Sequence, residues 1–534
     1  MKKLGYTVLI FLIAALCHAS ILAQGANLNR PAQVDILIRG GKVLDGTGGR
    51  AVNTDVGITG DRLVFIGDAR RAGIKATRTI EAKGLTVAPG FIDPHTHAEV
   101  DLSDSKRNSN VNYLMQGVTT VVINNDGRSS LPLSKKLTQL QTQGIGTNAV
   151  LLVGHGSVRQ AVLGMSDAAP TAEQLAQMKA LVQQAMEDGA FGMSTGLYYA
   201  PGSYSKIEEV IELSKVVAAN GGIYDSHIRD ESSYTIGLLG AIDEVIRIGR
   251  EAKLPVHVSH IKALGVDVWG KSDEVIAMIN RARAEGIQMT ANQYPYTASG
   301  TSVTASLVPR WAEVGGNAEL LKRIADPQVR SKLMAEMEVN LKRRGGANSL
   351  LITDGRNKEF VGKRLDAIAK ILNLSPVEAA LEIIKQGGAS VASFNMQEKD
   401  IENFMKQDWV MTGSDGSGGH PRKYGTYSRK ISDYVLKRHV ISLPRMIQAS
   451  SAQVAETFRI PERGRIALNQ FADVIVFDEK AVAERATYEQ PELLATGMKY
   501  VLVNGKVAVE EGRYTGVLAG QPLRKTKREQ MTTR

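Results

Sequence analysis

The segment Gly90-Phe91-Ile92-Asp93-Pro94-His95-Thr96-His97 sets two imidazoles on alternate residues directly after an apolar run, Leu85 to Pro89. Side chains of an extended segment repeat with a period of two, so His95 and His97 point the same way and can grip one ion such as zinc. A lone His-x-His is equally well a pair of structural histidines, and the rest of the histidine inventory weighs on that choice. Of nine histidines, His18 lies in the N-terminal apolar stretch, and most of the others follow short β-type runs. His155 follows one run, His227 ends Tyr224-Asp225-Ser226-His227, and His257 and His260 lie in Val256-His257-Val258-Ser259-His260-Ile261-Lys262. Period two puts His260 and Lys262 on one face and His257 on the other, which reads His257 as structural. Asp415 ends a further run, Met411-Thr412-Gly413-Ser414-Asp415-Gly416.

The elements that must carry these residues are legible in outline. Short β runs alternate with helical stretches across the middle of the chain, the texture of βα units around a parallel sheet. The runs end near Asp93, Asn124, Gly154, Ser194, His227, His260, Tyr294 and Asp415. Eight such runs close a TIM-like (β/α)8 barrel of the α/β class, whose C-terminal mouth gathers strand-end side chains. Thr171-x-x-Gln174 and Ser205-x-x-Glu208 read as capping boxes, and Ser375-Pro376-x-Glu378 adds proline at a first helical turn. The gap from the seventh to the eighth strand is too long for an ordinary connection, so residues 298–354 are expected to form an inserted subdomain or lid. Alternating runs in 31–88 and again in 463–520 suggest a small β-sandwich built from both termini, leaving 89–462 for the barrel.

Composition narrows the function classes. With 534 residues, 43% hydrophobic and 22% charged, the chain can bury a large core and is neither disordered nor a polytopic membrane protein. The formal charge of +10 sits partly at the ends, in Lys2-Lys3 and Arg524-Lys525-Thr526-Lys527-Arg528, and no other basic patch supports a nucleic-acid role. Met1-Lys2-Lys3, an apolar stretch to Leu16 and small residues at Ala19 and Ala23 read as a cleaved signal over 1–23, which sends the protein to the periplasm or outside the cell; an uncleaved membrane anchor is the alternative. Cys17 is the only cysteine. Once the signal is removed, disulfides, cysteine-ligated zinc and a cysteine nucleophile are all excluded.

Two histidines on the first strand, one each on the fifth and sixth, and an aspartate on the eighth resemble the amidohydrolase superfamily. Within it, the chain is most similar to the D-aminoacylases, the N-acyl-D-amino-acid deacylases. The resemblance is carried by 90–97, Gly117-Val118-Thr119-Thr120-Val121-Val122, 191–202, Ser226-His227-Ile228-Arg229-Asp230-Glu231, Ser259-His260-Ile261-Lys262, Gly413-Ser414-Asp415-Gly416 and 420–426. It implies a barrel with a terminal β-sandwich and an insertion near the mouth. It also implies that His227 and His260 hold a tightly bound zinc, while His95, His97 and Asp415 line a second, weaker position. The family commonly has a cysteine after the second strand; here Asp126 stands at that place. A carboxylate ligates or bridges metals but favours zinc less strongly than a thiolate does, so manganese or another divalent ion also fits. As a residue ahead of Gly127, Asp126 is also an ordinary turn residue.

The resemblance further gives Asp415 the role of general base and acid, taking a proton from the metal-activated water and returning it to the departing amine. Lys262, Tyr294 and Arg422 match positions that hold the substrate carboxylate, with Tyr296 an alternative to Tyr294. The implied partner is a small N-acyl amino acid, with no nucleic acid and no membrane partner after signal removal. An N-acyl-D-glutamate or aspartate deacylase, or a dipeptidase acting on D-residues, is the alternative of the same class. A non-catalytic metal- or ligand-binding barrel is the alternative of another. Gly192-Met193-Ser194-Thr195-Gly196 has the form of a serine-hydrolase elbow, but a Pro-Gly pair follows where that turn needs a helix. No lysine stands at the fourth strand's end, which argues against the carbamylated-lysine sites of cyclic-amide hydrolases.

Overall fold

The computed structural model describes residues 31–525; the expected signal 1–23 with Cys17, and residues 526–534 of the basic tail, lie outside them. Alternation at the N-terminus becomes β1 (Gln33–Val43), β2 (Val52–Thr59), β3 (Arg62–Gly67), β4 (Lys75–Glu81) and β5 (Thr86–Pro89). β5 lies parallel to β1 on one side and antiparallel to a C-terminal strand on the other, Val474–Phe477. Through that strand the two ends of the described chain form one nine-stranded sheet. Its apolar faces close on a shared core of Ile38, Val56, Ile58, Val87, Val474, Val476 and Leu502. Gly90 passes the chain from this sheet to the next element, and it must be glycine: a Cβ there would lie 2.3 Å from Thr119 Oγ1.

Beyond Gly90 come β6 (Phe91–Asp93), β7 (Val118–Ile123), β8 (Asn148–Leu151), β9 (Val153–Gly154), β10 (Gly192–Gly196), β11 (Ile223–His227), β12 (Val256–Val258) and β13 (Met289–Gln293). β8 and β9 are one strand interrupted at Leu152. With Val410–Thr412 they make the eight parallel strands of the barrel, hydrogen-bonded in two arcs. At the seam between first and last strands, Thr96 bridges Gly416 and the Asp415 N–H donates to His95 O at 2.9 Å. Nearly every barrel-strand residue is buried, as strands covered on both faces require.

The insertion between seventh and eighth barrel strands contains β14 (Ala298–Ser302), β15 (Leu350–Gly355) and β16 (Ala389–Phe394), paired antiparallel in the order β14-β16-β15. It has its own core, with Val303, Leu307, Leu333, Met337, Ile368, Ile383 and Val391 among its members. The inserted unit therefore runs over 298–394 and not only 298–354. Its last part has the helix-then-strand texture of a barrel unit, which hides the boundary in the sequence. The eighth barrel strand is β17 (Val410–Thr412), and β18 (Val474–Phe477), β19 (Met498–Val503), β20 (Lys506–Glu510) and β21 (Arg513–Tyr514) complete the terminal sheet.

Two of the expected caps form. Thr171 and Gln174 exchange hydrogen bonds at the start of Ala172–Asp188, and Ser375 and Glu378 do so at Pro376–Lys385. Ser205 does not cap a helix: its hydroxyl donates to Gly202 O at 2.7 Å, closing a short 3-10 turn, and Ile207–Ala219 begins after Lys206.

Candidate metal centre

β6 delivers His95 and His97 to the mouth on a loop that Asp93 clamps. The Asp93 carboxylate accepts from the N–H groups of His95 (3.2 Å) and Ser414 (3.0 Å), tying the first barrel strand's exit to the eighth's. Burial lifts that carboxyl to about 7. Beyond β7 the chain turns through Asn124 and Asp126 at φ 67° and 56°, a left-handed conformation that only short polar side chains adopt with ease. Gly127 follows at φ 73°, where a Cβ would lie 2.8 Å from Gly196 N. Ser194 brackets this turn, donating to Asn124 O at 2.5 Å and accepting from Gly127 N–H at 3.1 Å. The serine of the elbow-like motif thus positions Asp126.

Asp126 stands in the middle of the histidines. Its Oδ1 lies 3.5 Å from His95 Nε2, 3.5 Å from His227 Nδ1 and 3.6 Å from His260 Nε2, and its Oδ2 lies 3.5 Å from His97 Nε2. Two ligands each ~2.1 Å from a tetrahedral zinc stand ~3.4 Å apart, so these are separations that an ion between them would set. The atoms concerned are also orphaned: Asp126 Oδ1 and both ring nitrogens of His95 and of His227 are buried without a hydrogen bond. Buried polar atoms left unpaired in such a group point to a missing partner, here a cation. Ligand atoms of His95, Asp126, His260 and Asp415 all fall within 4.8 Å of one another, as do those of His227, Glu231 and His260. His97 is in neither group, but its Nε2 lies 3.1 Å from Asp415 Oδ1, so all six residues expected as ligands lie close together.

Charges follow from the crowding. Burial lowers His95 to about 4, which keeps its imidazole neutral and able to ligate. Burial opposes protonation of His97 and His260 too, but neighbouring carboxylates outweigh it and raise them to about 10 and 9. Burial would lift the Asp126 and Asp415 carboxyls, yet the histidines around Asp126, and Arg422 and His260 beside Asp415, hold both well below the usual range.

Glu231 is a further member of the site, one that strand periodicity does not signal. Its carboxylate lies 3.0 Å from His260 Nδ1 and 3.9 Å from His227 Nε2, on the side of both rings away from Asp126, and it pairs with Lys262. An acid four residues after His227, facing a lysine two after His260, was the available signal. β12 stops at Val258 and His260 has φ 35°, so period two does not hold as far as Lys262. Lys262 Nζ nevertheless comes within 2.7 Å of His260 Nδ1 by way of the turn. His257 faces away, held by Thr290 Oγ1 at 2.8 Å and Asn292 Nδ2 at 2.7 Å, as a structural histidine should be.

Tyr294 has a buried hydroxyl with no hydrogen bond, and its ring lies between two cations, Lys262 Nζ at 5.6 Å and the Arg422 guanidinium carbon at 4.6 Å. Tyr296 is instead bonded to Glu484. Arg422 Nη1 lies 2.8 Å from Asp415 Oδ2 as an ion pair without hydrogen-bond alignment, so its Nε and Nη1 protons are unspent. A cavity of about 510 Å³ spans His97, Asp126, Lys262, Tyr294 and Asp415 and reaches under the insertion to Arg344 and Thr353. Arg422 is itself buried, its guanidinium carbon set against the Tyr294 ring.

Residues 78–509 match the model of the amidohydrolase family. The chain is 31% identical over 519 residues to a D-aminoacylase of Alcaligenes xylosoxydans xylosoxydans, covering 92% of this chain and 98% of the relative. It is 32% identical over 499 residues to an N-acyl-D-glutamate deacylase of the same organism, covering 89% and 93%. A solved N-acyl-D-glutamate deacylase from Bordetella bronchiseptica, in complex with zinc and a phosphonate inhibitor that mimics the tetrahedral intermediate, superposes with a TM-score of 0.79. It shares 30% identity and covers 92% of this chain and 100% of its own.

Proposed function

Because the chain belongs to the amidohydrolase family, we propose that it hydrolyses N-acyl-D-amino acids to a D-amino acid and a carboxylate, with a divalent ion, zinc in the first place, held among His95, His97, Asp126, His227, His260 and Asp415. The observation that carries this reading is the convergence of unbonded imidazole and carboxylate atoms on Asp126 at metal-bridging separations. A bound divalent ion supplies Lewis acidity, polarising the amide carbonyl and making a water nucleophilic at neutral pH. Asp415, kept ionised by Arg422, takes a proton from that water at Oδ1 and passes it to the amide nitrogen as the C–N bond breaks. Tyr294 OH, Lys262 and the unspent Arg422 protons are the groups we assign to the substrate carboxylate. An extracytoplasmic location is proposed with it, from the signal-like residues 1–23.

The zinc-loaded protein should turn over N-acetyl-D-methionine and leave N-acetyl-L-methionine nearly untouched. Absence of D-selective turnover with any N-acyl amino acid would overturn the reading. Asp415→Ala should cut kcat by about 10²–10⁴-fold, the usual weight of a general acid–base group. Unchanged turnover would refute the mechanism even with the activity right. One observation favours acidic side chains. Arg344, 1% exposed and at the cavity wall, bonds Tyr234 OH at 2.7 Å and has no carboxylate partner among the described residues. Rates on N-acetyl-D-glutamate against N-acetyl-D-methionine separate the two readings.

A further inference from the structure

A second cavity, of about 560 Å³, adjoins the first on the side of the first four barrel strands. It is walled by the loops after β6, β7, β9 and β10, and it shares Glu99, Asp126, Arg128, Tyr199 and Ala200 with the first cavity. Asp126 therefore stands on the divide between two chambers. If the reaction is amide hydrolysis as proposed above, the amino-acid half of the substrate extends toward Lys262 and Tyr294, beyond β12 and β13. The substituent on the carbonyl carbon leaves in the opposite sense, across Asp126 and into the second chamber.

The wall of that chamber has a definite chemistry. Arg128, on the shared rim, is exposed, and its guanidinium has neither hydrogen bond nor ion pair among the described residues. Lys136 is half-buried; its amine hydrogen-bonds only neutral oxygens, Ser103 Oγ at 2.8 Å and Gln139 Oε1 at 3.0 Å, and Glu99 acts on it from beyond ion-pair distance. The acids in the wall, Glu99 and Asp126, face the histidines: Glu99 Oε1 lies 3.9 Å from His97 Nδ1 and Asp126 Oδ2 lies 3.5 Å from His97 Nε2. Ser129, Ser157 and Gln160 add polar groups. A long alkyl chain filling this space would strip water from two cations and give them nothing in return, whereas a carboxylate satisfies both.

We infer that the second chamber is the acyl subsite and that it takes a short acyl chain ending in a carboxylate, such as a succinyl or glutaryl group. The enzyme would then act on amides of dicarboxylic acids in preference to acetyl or fatty-acyl amides. The test compares N-succinyl-, N-acetyl- and N-octanoyl-D-methionine, in wild type and in the double variant Arg128→Ala, Lys136→Met. The expected result is kcat/KM at least tenfold higher for succinyl than for acetyl, with that ratio falling at least fivefold in the double variant, mainly through KM. A preference for octanoyl, or a ratio the double variant leaves in place, overturns the inference. Calorimetric titration of the zinc-loaded protein with succinate gives a readout independent of turnover. The double variant should bind succinate about tenfold more weakly, and equal affinity overturns the subsite. Were no amide hydrolysed at all, the amidohydrolase reading would fall, and the succinate titration would still decide for or against the anion site.

Discussion

Asp126 is an aspartate at a place where a thiolate would hold zinc more selectively, and it faces four histidines at once. Asp126→Asn keeps the shape and removes the charge. Zinc affinity, read by competition with a chromophoric chelator, should fall by more than the ~10–100-fold typical of losing an outer-shell partner. Asp126→Cys should raise the preference for zinc over manganese, because a thiolate is the softer ligand. The strain of cysteine at φ 56° weighs on both metals alike, so the ratio of affinities is the quantity to measure. A ratio that stays put in the cysteine variant would mean that Asp126 does not touch the ion. The histidines were legible because each sits at the exit of a recognisable strand. Glu231 was not, since it enters from a turn, where no periodicity says which way a side chain points.

Each element of the mouth contributes by holding a loop in place, and Ser194 in β10 is the clearest instance. Ser194→Ala leaves Asn124 O and Gly127 N–H without their side-chain partner in a buried turn, a loss of about 1–3 kcal/mol. The expected outcome is weaker zinc binding with activity recovered at saturating zinc. A serine nucleophile would give the opposite, a dead enzyme with zinc affinity intact. Behind the eighth strand, the π-helical segment Lys430–Lys437 buries the Lys430 amine, which donates to Thr412 Oγ1 at 2.9 Å. Burial first, and Arg445 second, pull it down to about 7, against ~10.4 in an unfolded chain. Between those values the unfolded chain binds a proton that the folded one does not, so stability should rise with pH from 7 toward 10. Urea midpoints should show a slope of up to ~1.4 kcal/mol per pH unit in excess of Lys430→Met, and parallel profiles would mean the lysine is solvated. Capping boxes at Thr171 and Ser375 could be read because the cap is local. The one at Ser205 could not, since the preceding turn claims the hydroxyl.

For the whole molecule, the sequence disclosed the number of barrel strands and the joining of both termini, because period two and βα alternation are statements about consecutive residues. It did not disclose where the insertion ends, because β16 pairs antiparallel with β14 and β15, contacts distant in sequence that no pattern of consecutive residues signals. That unit carries its own apolar core over 303–391 and covers the cavity through Ser299, Thr301, Arg344 and Thr353, so it should lose structure independently of the barrel. Ile368 is fully buried in that core and far in sequence from every residue of the metal cluster. Ile368→Ala should cost about 2–5 kcal/mol, a large share of what a unit of this size has to spare. Hydrogen exchange should then show lost protection across 303–391 with β10 to β13 still protected. KM for the substrate should rise while zinc affinity, set by barrel loops, stays within a factor of two. Loss of protection throughout the barrel would show instead that insertion and barrel unfold as one cooperative unit, and that the cavity roof is no separate lid.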